Sequence, residues 1–411
     1  MTEATAAELD LVKAHARAER GRRRGAFLLV APLLVFLVFT FLVPIGDMLR
    51  RSFLDGDVAS VWPRTVAVTR AWDGGGEPPA LLWPALAADI KASAAADTVA
   101  VAARRVNYAV DGGRTLVMKT ARQIGRIEAP PNGDWRTVFA QIDPAWIRPE
   151  TTRALRRASG PVTDFYLLSA LDLRKTETGA IVSAPERDRI YRTILQRTFS
   201  VAGLVTLLTL LIGYPYAYLM TRAGRRVAAL MTVFVLLPFW TSLLVRTAAW
   251  IVLLQDQGIL NNIMLALGIV DQPLRLIFNR VGVVVAMTHV LLPFMVLPLA
   301  AVMRGIRPET VRAARSLGAT PATAFRRIYF PQTLPGVAAG ALLVFISAIG
   351  YYITPALVGG ADDQMISWFI AFFVNDTINW GLAAALGVVL LGCTAVLSIL
   401  YARIAGGRRL A

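Results

Sequence analysis

The chain has 411 residues, 56% of them hydrophobic, and a mean hydropathy of +0.55, too apolar for an ordinary soluble protein. Its formal charge of +16 would suit nucleic acid, but much of the Lys and Arg sits in short segments beside apolar runs. That is the pattern of membrane-protein loops, and it sets nucleic-acid binding aside. One cysteine, Cys393, and two histidines, His15 and His289, exclude an intrachain disulfide and a recognisable metal cluster.

Residues 1–25 are polar and end in Arg20, Arg22, Arg23 and Arg24. The apolar stretch from Ala26 to Leu49 is long enough to cross ~30 Å of hydrocarbon. A signal peptide has the same order, but this core is too long and no small-residue cleavage site follows it. An uncleaved first span with a cytoplasmic N-terminus is expected.

From 50 to 192 the character changes. This segment holds Trp62, Trp72, Trp83, Trp135 and Trp146, many charges, and no run able to span. Leu81–Ala95, Thr98–Val110 and Arg114–Ile124 read as helices, with Asp97 as N-cap of the second. Asp111-Gly112-Gly113 and Pro130-Pro131-Asn132-Gly133 read as turns. A folded, mainly helical extracytoplasmic domain is expected.

Five further spans follow: Thr193–Thr221, Val227–Leu254, Val281–Met303, Leu334–Val358 and Leu382–Ile404. Pro215, Pro238, Pro293 and Pro298 fall inside them, which membrane helices tolerate when neighbours satisfy the freed carbonyls. Arg222, Arg225 and Arg226 lie between the second and third spans. Arg304, Arg307, Arg312, Arg315, Arg326 and Arg327 lie between the fourth and fifth, and Arg403, Arg408 and Arg409 follow the sixth. The alternate connections, 255–280 and 359–381, hold Arg275 and Arg280 beside Asp256, Asp271, Asp362, Asp363 and Asp376. This asymmetry predicts that both termini are cytoplasmic and that 50–192 lies outside.

The run Pro308–Pro331 is a basic, water-soluble piece between two spans. A first helix opens with Pro308 and carries Val311, Ala314 and Leu317 on one face. Gly318 closes it in a left-handed cap. Thr320 caps a second helix, with Pro321 at its first position and Pro331 as its stop. An ordered loop of this kind predicts a docking element for a cytoplasmic partner.

The residues Ala313-Ala314, Gly318, Phe325, Ile328 and Pro331 resemble the EAA loop of permease subunits of bacterial ABC importers. One position departs: Arg312 stands where that family has Glu, and Glu309, one turn earlier, is placed to supply the carboxylate. Gly213-Tyr-Pro-Tyr-Ala217, Leu237–Trp250 running on to Gly258-Ile-Leu-Asn261, and Gly350–Gly360 with Asp363–Ser367 are similar to the spermidine/putrescine branch. The resemblance covers the first span and residues from 193 onward.

It implies an all-α membrane protein of six transmembrane helices, of the ABC importer permease type, with an inserted helical extracytoplasmic domain. Such a subunit sits as a multi-pass protein in the bacterial inner membrane, among lipid. It works with a cytoplasmic ABC ATPase that binds ATP-Mg, a second permease subunit (a copy or a paralogue) and an extracytoplasmic solute-binding protein. The substrate implied is a polyamine or similar small organic solute. No Gly-Lys-Ser/Thr phosphate loop occurs in the chain, so no cofactor and no catalytic residue are expected in it.

Candidates for the translocation path are Trp240, Arg246, Trp250, Tyr351, Tyr352 and Thr354. Arg246 lies roughly 29 Å along its span, where it either snorkels or pairs with Asp256, or takes part in gating. Tyr351 and Tyr352 are either interface anchors or pore lining. Asp362 and Asp363 are either solvated loop charges or contacts for the binding protein. His289 is expected to be a hydrogen-bonded packing residue. The alternative function is a secondary transporter or channel without an ATPase. That reading requires inverted repeats and midplane ionisable groups, and spans two to six offer only Arg246 and His289. A membrane-anchored sensor is a third reading, disfavoured by six spans, all but the last proline-bearing, and an ordered cytoplasmic loop.

Overall fold

The computed structural model describes residues 22, 25–130, 133–176 and 180–406. Most of the basic segment before residue 25, the centre of the Pro130–Gly133 turn, and Arg408 and Arg409 lie outside them. Among the described residues, six helical segments are long and apolar enough to cross a membrane: Gly25–Arg51, Tyr191–Arg222, Leu243–Ala266, Arg280–Gly305, Pro321–Gly350 and Trp380–Tyr401.

The first of these, α1 (Gly25–Arg51), widens into a π-turn at Val38–Leu42. The reason lies at Pro44, whose ring in a regular helix would strike the carbonyl four residues back, that of Thr40. Widening the turn around Thr40 moves that carbonyl aside.

The inserted segment then forms α2 (Asp57–Val61), α3 (Pro63–Ala71), α4 (Leu82–Ala95), α5 (Val99–Asn107), α6 (Gly113–Ile124), α7 (Trp135–Ile142), α8 (Pro149–Ala158) and α9 (Phe165–Ala170). A short antiparallel hairpin, β1 (Leu173–Lys175) and β2 (Ile181–Ser183), follows. The three helices expected from sequence appear as α4, α5 and α6. Their apolar faces bury Trp62, Leu86, Ile90, Val117, Phe139 and Trp146 in one core. Trp62 Nε1 donates to Ser93 Oγ at 3.1 Å and Trp146 Nε1 to Thr120 Oγ1 at 2.7 Å, so neither indole loses its hydrogen bond on burial. Asp97 is not an N-cap. It takes a left-handed conformation (φ 56°) in the position that closes α4, with Thr98 N donating to Ser93 O and Asp97 N to Ala94 O.

The domain joins the bundle through a narrow neck. Leu54 and Val162 form a single antiparallel bridge, flanked by bonds from Asp55 N to Pro161 O and from Thr163 N to Phe53 O. Beside it, Arg105 pairs with Asp55 in a fully buried contact and lies 4.8 Å over the Phe165 ring. Burial pushes the Asp55 carboxyl above its ordinary value, and Arg105 opposes that shift. Arg104 reaches across to Thr377 O at 3.3 Å, while the Tyr166 ring lies directly on Gly381.

Beyond the hairpin, α10 (Tyr191–Arg222) runs unbroken for 32 residues in spite of Pro215. Its N-terminus is capped from a distance. The Asp172 carboxylate accepts from Tyr191 N at 3.1 Å and Arg192 N at 2.6 Å, satisfying free helix donors with a negative charge where the helix dipole favours one. Asp172→Ala is expected to lower stability by about 1–2 kcal/mol, read as a fall in the melting temperature of the detergent-purified protein. An unchanged transition would remove this cap from the account.

The third expected span, Val227–Leu254, is not one helix. It divides into α11 (Arg225–Trp240) and α12 (Leu243–Leu254), with α13 (Ile259–Ala266) after a turn. Thr241 and Ser242 are extended, and Ser242 Oγ accepts from Val245 N as a new N-cap. Next come α14 (Arg280–Gly305) and α15 (Pro308–Ser316), then α16 (Pro321–Gly350), α17 (Ile353–Val358), α18 (Ile366–Asn375) and α19 (Trp380–Gly406).

Pro331 does not stop the second loop helix. The chain widens into a π-turn at Phe325–Tyr329 and continues as the span α16. This is the device seen before Pro44: the carbonyl that Pro331 would strike, that of Arg327, lies in the widened turn. The expected fifth span, Leu334–Val358, also breaks, at Tyr351–Tyr352. At the centre of the bundle α10, α14 and α16 bury Val201, Val205, Met287, Leu291, Met295 and Val344 together.

Candidate functional site

Two regions carry the residues singled out by sequence. The first is the loop between α14 and α16. Pro308 occupies the first turn of α15, where its missing N–H has no partner to lose. Gly318 follows with φ +90°, and two bonds close the helix: Gly318 N to Arg315 O and Ala319 N to Ala314 O, both 3.0 Å. Thr320 Oγ1 accepts from Thr323 N at 3.2 Å to start α16.

No residue of α15 is buried. Val311 packs into an apolar cluster with Met303, Ile306, Phe325 and Tyr329, and Ala314 is half-buried. Leu317, expected on the same face, is instead 88% exposed, because the helix ends there and its side chain projects beyond the last turn. Ala313 and Pro331 are exposed and Ile328 is half-buried. Arg312 donates to Glu309 at 2.7 Å, so the irregular position of the motif is paired within its own helix. Both partners are exposed, and the pair contributes only a few tenths of a kcal/mol, roughly.

Beneath this loop lies an aromatic seat. The Phe325 ring stands edge-on to Tyr218 at 5.9 Å and to Tyr214 at 6.4 Å, and stacks on Tyr329 at 5.7 Å. The loop therefore presents a solvent-facing helix on a rigid base.

The second region is where α11 gives way to α12. Arg246 turns back on the break, with Nη2 donating to Thr241 O at 2.7 Å and Nε to Thr241 Oγ1 at 3.2 Å. Its guanidinium also lies close to the Tyr351 side chain at the break that ends α16. Its partners are Thr241 and Tyr351, not Asp256. Trp250 Nε1 donates to His289 Nδ1 at 3.3 Å, which makes His289 the hydrogen-bonded packing residue expected. Thr247 and Thr354, both buried, meet at 3.4 Å between their hydroxyls.

The structure thus gathers Arg246, Trp250, Tyr351 and Thr354 around two helix breaks and adds Thr241, Thr247 and His289. Trp240, 69% exposed, and Tyr352, 42% exposed, stand outside this network. Thr241 and Thr247 left a signal in the sequence: polar β-branched residues in an apolar stretch, just after Pro238. The cluster offers charged and neutral donors to a polar solute and no nucleophile–base pair.

Asp363 is not a solvated loop charge. It accepts from Gly360 N and Arg280 Nε, both at 3.3 Å, and is nearly buried. Its carboxylate is occupied in ordering its own loop.

A family profile described as "Binding-protein-dependent transport system inner membrane component" matches residues 209–409. The spermidine/putrescine transport system permease protein PotB of Haemophilus influenzae is 34% identical over 214 residues, covering 52% of this chain and 75% of that protein. PotB of Escherichia coli is 33% identical over 216 residues, covering 53% and 78%. Among solved structures, a chain of a bacterial alginate ABC transporter in complex with its periplasmic protein matches with 17% identity and a TM-score of 0.44, covering 54% of this chain and 80% of that one.

Proposed function

From the premise that this chain belongs to the family of binding-protein-dependent transport system inner membrane components, and is an ABC importer permease subunit, we infer how its parts divide the work. The loop Pro308–Pro331 docks a separate cytoplasmic ATPase, which hydrolyses ATP-Mg. Residues 50–192 and the α12–α13 and α17–α18 connections face the outside, where a solute-binding protein delivers substrate. A second permease subunit completes the path. Both termini are placed in the cytoplasm in this reading, which the arginine asymmetry supports.

The observation that carries this reading is the exposed α15, held by the Gly318 cap on an aromatic seat. An ordered helix that stands between two spans with no buried residue supports a surface kept for a partner. The energy comes from the partner, so this chain couples two distant sites.

For the substrate we propose a polyamine or a similar small organic solute, by likeness to the PotB proteins. Arg246 places a positive charge at the helix breaks and repels a polyammonium ion. Acidic groups on the second permease then have to line the remainder of the path.

The test is co-purification of the chain with a candidate cytoplasmic ABC ATPase, followed by ATP-driven spermidine uptake into proteoliposomes. Uptake driven by an ion gradient without ATP would favour a secondary transporter instead. Arg312→Glu refines the docking test. It restores the acidic position of the EAA pattern and releases Glu309 from its pair, so ATPase association is expected to persist, at a cost of a few tenths of a kcal/mol, roughly, from like charges one turn apart. Loss of association in this variant would show that Glu309 does not serve the contact.

A further inference from the structure

Arg222 ends α10, and its guanidinium lies 4.4 Å over the Tyr218 ring and 5.6 Å over the Tyr329 ring. Tyr218 belongs to α10, one turn back, whereas Tyr329 closes the π-turn at the foot of α16. The two rings meet edge-on at 5.5 Å. Two residues at the end of α10, Tyr218 and Arg222, thus converge on one residue of the π-turn. The same π-turn supports the docking helix, since Val311 of α15 packs into the cluster that contains Phe325 and Tyr329.

We propose that Arg222 is a positioning residue that ties the end of α10 to the π-turn, so that displacement of the docking loop drives α10 and α16 together. The inference rests on the docking role assigned to Pro308–Pro331. Two physical points support it. A cation over two aromatic rings is attracted to both, and the exposed Arg222 keeps two such contacts on one guanidinium. A π-turn is also a weak point, with poorer hydrogen bonding than the α-helix on either side, so a push on α15 deforms it unless it is braced. Arg222 and Tyr218 are that brace.

The mechanical consequence differs for the two spans. On the far side of the bundle α16 breaks at Tyr351, beside Arg246, so its displacement ends at the polar cluster. The other helix, α10, has no break. It extends for its 32 residues, about 48 Å, to the Asp172 cap, so its displacement arrives at the inserted domain. One movement of the loop is delivered to two places.

The experiment uses the intact transporter in proteoliposomes, with uptake and ATP hydrolysis measured together. Arg222→Gln is expected to lower substrate moved per ATP by about tenfold while ATPase co-purification stays at the wild-type level. Arg222→Lys, which keeps a cation over the rings, recovers most of the ratio. A spin label on Leu317→Cys, in a Cys393→Ser background, reports the loop directly, and Arg222→Gln is expected to increase its mobility. An unchanged ratio with unchanged mobility would overturn the proposal. So would loss of ATPase binding in Arg222→Gln, which would make Arg222 a docking contact rather than a brace. Should Arg222→Gln fail to accumulate, Tyr218→Leu carries the same expectation, and normal coupling in that variant overturns it. Failure of the wild-type chain to co-purify with the ATPase would instead strike the docking role itself.

Discussion

Gly318→Val is expected to lower substrate uptake by about tenfold or more, although the chain still inserts and accumulates normally. The reason is backbone conformation and not crowding. At Gly318 a side chain would meet nothing within 4 Å, yet φ is +90°. A residue with a Cβ pays ~1–2 kcal/mol for the left-handed region, and a β-branched one is an outlier there. The two bonds that close α15, from Gly318 N and Ala319 N, depend on that conformation. With valine the cap opens and α15 no longer meets α16 at a fixed angle, while the spans, whose contacts lie elsewhere, are untouched. A strain of this size suppresses the docked geometry by about tenfold or more. The measurement is uptake against ATP hydrolysis in reconstituted complex. Gly318→Asn, which tolerates left-handed backbone, is expected to keep much of the activity. Wild-type uptake by the valine variant would refute the coupling role of this turn.

Gly340→Leu is expected to show the opposite signature, a chain that fails to accumulate. Gly336 and Gly340 lie one turn apart on α16 and let its backbone approach α14. A Cβ on Gly340 would sit 3.1 Å from Met295 O and 3.2 Å from Met295 Cα, and one on Gly336 3.2 Å from Leu299 Cα. Small residues at this spacing permit close helix contact in membranes, where packing replaces the hydrophobic drive between helices. A backbone neighbour cannot rotate away, so each added carbon separates two of the three helices of the bundle core. Overpacking costs about 1–3 kcal/mol, occasionally more. A graded series is expected, with Gly340→Ala mildly destabilised and Gly340→Leu reduced to little folded protein. Thermal unfolding in detergent measures it, and a leucine variant as stable as wild type would contradict the packing argument.

How much of this was legible in the sequence depended on what fixes each feature. The boundaries of α10, α14 and α19 lie within two residues of those expected from Thr193–Thr221, Val281–Met303 and Leu382–Ile404. There the apolar run and the helix are coextensive. At Thr241–Ser242 and Tyr351–Tyr352 the apolar character continues through a break in the hydrogen bonding, so composition shows one span where the backbone has two helices. The caps at Gly318 and Thr320 were readable because each acts within three or four residues. Pro331 was misread because a widened turn lets a proline sit inside a continuous helix, and no residue type announces such a turn. Asp97 was misread for a related reason: an Asp between two helices serves either as the close of one or the start of the next. In the polar cluster, Arg246 could be singled out as a charge in an apolar span. Its partnership with Tyr351, 105 positions later in the numbering, exists only once the helices pack.

The neck has a further consequence, for the history and engineering of the chain. Phe53 and Thr163 are joined by a backbone hydrogen bond of 2.7 Å, and the bridged pair Leu54 and Val162 have Cα atoms about 5 Å apart. The apolar residues between them close on their own core, while Arg104 and Arg105 reach beyond it to Thr377 and the Phe165 ring. A segment whose two ends nearly touch can be gained or excised as a cassette without shifting the register of the spans around it. Joining Phe53 to Thr163 through a short turn would leave α9, the hairpin and the Asp172 cap in place. The shortened chain would then have a minimal loop after α1, to which binding proteins or other small domains could be grafted.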